Sequence, residues 1–130
     1  MTTARVNFDD QQCDAPVQGD PFDVTFSFTD ADAGVAMNFA GHAFEFLVAA
    51  GFGQAPIVTA TQAAGDITVN GGEVRVLLPA AVTKALVVGA NLVTAYPAYT
   101  PLFYALRSTK AGIPNTWSEG RYSVKLTVGQ

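Results

Sequence analysis

His42 is the only histidine in the chain. Chemistry that needs an imidazole, whether a metal site or a histidine-activated serine, must therefore draw its other groups from distant parts of the sequence. Beside Gly41 at the mouth of an alternating segment, His42 reads first as a turn or strand-start residue. Asp30, Asp32 and Gly34 match the opening of a calcium loop in part, but the third acidic position is glycine and Gly41 stands where the bidentate glutamate belongs. Aspartates in such a turn hydrogen-bond their own backbone. Glycoside hydrolysis needs two carboxylates flanking a cleft, one with a raised pKa. Glu45, Glu73 and Glu119 fall instead at polar-face or loop positions, where a carboxylate is solvated. Gly51-Phe52-Gly53 is not a phosphate loop, since no lysine follows it and a strand comes next. These residues point to a non-enzymatic protein, with no metal or cofactor expected.

The most suggestive group is aromatic: Tyr96, Tyr99, Phe103 and Tyr104, with Pro97 among them and Trp117 further on. Aromatic rings bring a large rigid contact area, and Tyr and Trp add a polar edge, so such a cluster suits a protein interface, a sugar-stacking platform or a core. Trp117 lies in Pro114-Asn115-Thr116-Trp117-Ser118-Glu119-Gly120, outside the last alternating segment, which predicts a surface position in a loop. The candidate contact residues are Tyr96, Pro97, Tyr99, Phe103 and Trp117.

The elements that must hold these residues are short strands. After Gly19-Asp20-Pro21, the side chains of Phe22, Val24, Phe26 and Phe28 alternate with Asp23, Thr25, Ser27 and Thr29, which is a half-buried β-strand. Burying those four apolar groups is worth on the order of 6–12 kcal/mol before chain entropy is subtracted, and it requires a second layer. Thr29 to Gly34 turns the chain, Val35 to Phe39 returns, and Ala43 to Ala50 alternates strongly through Phe44, Phe46 and Val48. Ile57 to Ala60 follows the loop Gly51 to Pro56. Asn70-Gly71 between Asp66–Val69 and Glu73–Leu78 predicts a hairpin with a type I′ turn. Pro79 to Leu86 suits one or two helical turns. Val88 to Pro101 has no clear pattern, Leu102 to Ser108 is apolar on both faces, and Gly120 to Val128 is the last clear strand. Arg5 to Phe8 alternates weakly at the start. Seven to nine short strands with at most one helix predict an all-β, two-sheet antiparallel sandwich. The 130 residues fit one domain spanning 1–130, with neither repeats nor a linker.

Bulk properties narrow the partners. A net charge of −4 with scattered basic residues argues against nucleic acid and against a membrane surface. Only 14% of residues are charged, so part of the surface is expected to be covered by neighbours. Cys13 is the single cysteine, which excludes an intramolecular disulfide and fits a reducing compartment. The amino terminus has no signal-peptide pattern, and Ala80 to Leu106 is too interrupted to span a bilayer, so a soluble protein is expected.

Set end to end, the order of features resembles the immunoglobulin-like domain found in phage virion proteins, notably that at the N-terminus of baseplate upper proteins. The residues carrying the resemblance are Gly19-Asp20-Pro21-Phe22-Asp23-Val24-Thr25-Phe26, which is similar to that family's opening strand, the acidic hairpin Asp30 to Asn38, and Phe44 to Val48. Asp66-Ile67-Thr68-Val69 through Glu73 to Leu78, followed by proline and a helical turn, is similar to its hairpin. Leu102 to Ser108 and Gly120 to Val128 look like its final pair of strands. The chain departs from the pattern at Val88 to Pro101, where the family passes almost directly into the next strand. The resemblance implies a structural role: a subunit of a tail, baseplate, neck or capsid surface, folded in the host cytoplasm and assembled in several copies into the virion. It implies other virion proteins as partners, homo-oligomeric association, and no cofactor. The alternative from the aromatic residues is a carbohydrate-binding module that stacks sugars on exposed Tyr and Trp.

Overall fold

The computed structural model describes residues 4–9, 15–30, 32, 34–86 and 99–126. Phe22 and Phe26 lie at the centre because the strand that carries them, β2 (Phe22–Ser27), turns them toward a second sheet. The order of elements begins with β1 (Ala4–Arg5), continues through β2 to the short β3 (Thr29–Asp30) and β4 (Val35–Ala36), and then β5 (Ala43–Ala49) and β6 (Pro56–Thr61). β7 (Ile67–Asn70), β8 (Glu73–Leu78), the helix α1 (Ala80–Ala85), β9 (Tyr99–Lys110) and β10 (Ile113–Lys125) complete it.

The strands form a five-stranded sheet in the order β1-β10-β9-β5-β6, a three-stranded sheet in the order β2-β8-β7, and the separate pair β3-β4. Among the described strands all pairings are antiparallel except β1 on β10, which is parallel, as are the single bridges Phe8–Tyr122 and Val17–Lys125 on the same edge. The fold is therefore all-β, as the alternating segments predict.

The two larger sheets meet through their aromatic faces. Phe22 of β2 packs on Phe46 of β5 and Tyr122 of β10, with ring centroids 6.0 and 4.9 Å apart, and Phe26 lies 6.2 Å from Tyr104 of β9. Phe8 fills the space between them, edge-on to Phe22 at 5.2 Å and tilted on Tyr104 at 5.0 Å. Its segment continues the parallel pairing along β10: Phe8 N–H donates to Arg121 O, and Ser123 N–H donates to Phe8 O. The weakly alternating Arg5 to Phe8 is thus a strap, secured by one buried ring. Each such ring removed from water contributes roughly 1.5–3 kcal/mol.

Local chemistry sets the turns. In the β7–β8 hairpin Asn70 pairs with Glu73, so the loop residues are Gly71 and Gly72. Gly71 has φ +61° while Gly72 is outside the left-handed region, the sign pattern of a type II′ turn and not of the expected I′. The I′ pattern occurs instead at Ala111 (φ +53°) and Gly112 (φ +78°), which join β9 to β10. α1 starts after Pro79, as the sequence predicts, and Thr83 Oγ1 ties it to Asp20 O at 2.8 Å.

Two strands are longer than their alternation indicates. β9 begins at Tyr99, so the end of the unpatterned segment Val88 to Pro101 is strand, while 87–98 lie outside the described residues. β10 begins at Ile113, not Gly120. A register shift between Thr116 and Ser118 breaks its period of two, placing Trp117 and Ser118 both inside. Leu126 follows the strand half-buried, and Val128 lies outside the described residues. Among the described residues no helix is long and apolar enough to cross a membrane.

Candidate functional site

β9 is covered by neighbours on both sides, β10 and β5, and its two faces differ. Leu102, Tyr104, Leu106 and Ser108 are buried, while Phe103, Ala105 and Arg107 are half-buried on the outer face of the sheet. The register places Phe103 between Arg121 of β10 and Ala49 of β5, and Ala105 between Glu119 and Leu47. Arg107 lies 4.0 Å from Glu45 across the β9–β5 pair.

The loop after β5 folds back over this face. Phe52, 65% exposed, packs its ring 4.9 Å from that of Phe103 at a tilt of 44°. Beside the ring pair lies an open depression of about 330 Å³ lined by Asn7, Phe52, Phe103, Glu119, Gly120 and Arg121. The amino-terminal strap builds its rim: Asn7 Oδ1 accepts from the Arg121 backbone N–H at 2.9 Å, and the Arg121 guanidinium lies 3.8 Å from Asp9 Oδ2. Glycine is required at 120, since a side chain there would run into Val6 O, with Asn7 Oδ1 2.7 Å away. The surface thus offers two apolar rings, one carboxylate and one guanidinium on a single sheet face, suited to binding an apolar group between charged edges.

A second cluster is internal. His42 Nδ1 lies 2.8 Å from Ser108 Oγ, and Trp117 Nε1 donates to the same oxygen at 2.7 Å. Phe28, Phe39 and His42 surround the indole, Phe39 edge-on at 5.0 Å, and Phe44 packs in turn on Phe39 and His42. This is the serine–histidine pair whose parts are distant in sequence, but Ser108 is 1% exposed, so no substrate carbonyl can reach its oxygen in this arrangement. Burial, reinforced by the Lys110 charge, holds the His42 pKa below the ordinary histidine range. The group fixes the end of the core.

Of the two candidate contact residues whose side chains are described, Phe103 is placed on an outer face and Trp117 is not. Trp117 corrects the sequence expectation: it is in β10 and only 6% exposed, because the bulge turns it inward to its partner Ser108. Tyr99 opens β9 with its backbone opposite Lys125, and its side chain lies outside the described residues, as do Tyr96 and Pro97. Tyr104 belongs to the core, where its hydroxyl donates to Val6 O at 2.7 Å. Asp30 Oδ1 accepts from Asp32 N–H at 3.0 Å, the turn geometry expected of aspartates there. Among the described residues no three His, Cys, Asp or Glu side chains are placed to hold a metal ion.

Phe52 and Arg121 are the surface residues that pattern reading missed. The signal for Phe52 is a phenyl group between two glycines in a loop, where no strand face asks for one. The chain matches no protein-family model and no curated protein.

Proposed function

We propose that this chain is an immunoglobulin-like β-sandwich that serves as a non-enzymatic structural subunit of a phage virion, acting through contacts with neighbouring proteins at a tail, baseplate, neck or capsid surface. The strand order supports the fold assignment. The β2-β8-β7 sheet has the neighbours of B, E and D in such a sandwich, and β10-β9-β5-β6 has those of G, F, C and C′. The resemblance to phage virion domains supports the setting.

The observation that carries the reading is the Phe52–Phe103 pair, an exposed aromatic patch on the outer face of the longer sheet, flanked by opposite charges. In a chain with few charges, such a patch gains most when another protein covers it. The test is binding of the purified protein to the separated structural proteins of a particle, by sedimentation or interferometry, with Phe52→Ser and Phe103→Ser as controls. Binding that both substitutions weaken supports the reading. No binding to any of them overturns it.

A further inference from the structure

We propose that the outer face of the five-stranded sheet is an isologous contact between two copies of this chain, related by a two-fold axis that crosses β10 at Gly120. This rests on the assembly reading above and names the partner as a second copy.

The register of the strands sets two outward-facing rows one pleat apart. One row across the sheet holds Arg121, Phe103 and Ala49, and the row two residues away along the strands holds Glu119, Ala105 and Leu47. Gly120, Tyr104 and Val48 lie midway between them, Tyr104 and Val48 with their side chains in the core. A two-fold axis in the contact plane along that middle row lays each outer row against the other row of the second copy.

Three complementarities follow at once. Arg121 of one copy faces Glu119 of the other, and the symmetry makes the pair twice. Glu119 has no ion-pair partner among the described residues, and Arg121 is held only at 3.8 Å by Asp9, so a guanidinium with five N–H donors can serve both. The large ring of Phe103, with Phe52 beside it, falls over the small Ala105 and the half-buried Leu47, so projecting and recessed rows interlock. Arg107, three residues from Tyr104 along β9, falls opposite Pro101, three residues to its other side, so its charge meets no like charge. The depression of about 330 Å³ beside Phe52 is the space the second copy enters.

Sedimentation velocity and light scattering over a concentration series test this on the intact chain. The expected result is a dimer that Phe52→Ser disperses. Glu119→Arg alone and Arg121→Glu alone each weaken it about tenfold or more, since each brings like charges together. The double reversal Glu119→Arg with Arg121→Glu recovers the wild-type association, which only a contact pairing position 119 with position 121 across copies does. Circular dichroism checks that each variant keeps its β-sheet signal. A monomer at every concentration overturns the proposal, as does a dimer indifferent to Phe52→Ser or a double reversal that fails to recover. A monomer that binds a glycan array through Phe52 also overturns it, making the face a sugar platform. A monomer that still binds virion proteins removes the two-fold contact and leaves the assembly reading standing, whereas one that binds neither removes both.

Discussion

Trp117 Nε1 donates to Ser108 Oγ across the β9–β10 hairpin at 2.7 Å, and both residues are buried. Removing the hydroxyl leaves an indole N–H in the core without an acceptor, which costs about 1–3 kcal/mol. Ser108→Ala is therefore expected to lower the unfolding free energy by that amount, read as a lower urea midpoint at an unchanged m-value. Trp117 is the only tryptophan, so its fluorescence reports this site directly. Native emission should be blue-shifted relative to unfolded protein.

The same serine contacts His42, and this makes stability depend on pH. Burial first and the Lys110 charge second lower the His42 pKa in the folded chain. The unfolded chain then binds the proton more tightly than the folded one below the ordinary histidine pKa of about 6.5. The contribution is fully present above that value and is lost as pH falls through the folded pKa. Between about pH 7.5 and 5.5 the wild-type unfolding midpoint should fall more steeply than that of His42→Gln. Parallel curves for the two proteins would exclude His42 as the titrating group.

Gly120 lets the amino-terminal strap lie close along β10, since an added Cβ would collide with the Val6 carbonyl oxygen. The obstacle is backbone, so it cannot yield by changing rotamer. Gly120→Ala is expected to destabilise by about 1–3 kcal/mol. Its signature is local: amide exchange at Val6 and Phe8, both bonded to β10, should accelerate before that of β5.

Where one face of a strand is buried and the other wet, the pattern was readable. β2, β5 and β8 follow their alternation, and β8 runs over the expected Glu73 to Leu78. The first half of β10 was not readable, because Pro114, the Thr116–Ser118 bulge and Gly120 each interrupt a period of two for a tertiary reason. Trp117 is the consequence: sequence put it in a loop, while the bulge puts it in the core. The outer face was legible at Phe103 alone. Phe52 and Arg121 join it only through the fold-back of a loop and the pairing of β9 with β10, neither of which leaves a periodic trace.

Ala111 has φ +53° in the turn between β9 and β10, in the left-handed region that an L-residue with a Cβ disfavours. Asparagine suits that position of a type I′ turn better. Ala111→Asn should raise stability by about 0.5–1 kcal/mol, read as a shift of a few degrees in thermal melting. No shift, or a lower melting temperature, would count against the turn assignment.

Two core tyrosines should answer the same substitution with opposite signs. The Tyr104 hydroxyl donates to Val6 O at 2.7 Å and lies 2.8 Å from Ser118 Oγ, so it holds the strap to β9 and β10. The Tyr122 hydroxyl is buried with no hydrogen-bond partner among the described residues, and burial pushes its pKa far above the usual range. Tyr104→Phe leaves Val6 O and Ser118 Oγ short of a partner and should cost about 1–3 kcal/mol. Tyr122→Phe removes a polar atom that the core does not satisfy and keeps the ring contacts with Phe8, Phe22 and Phe46. It should be neutral or stabilising by up to about 1 kcal/mol, or about 3–5 °C in a thermal melt. If Tyr122→Phe destabilised as much as Tyr104→Phe, the Tyr122 hydroxyl would have to be bonded, and the packing between β2 and β10 would have to differ at its centre.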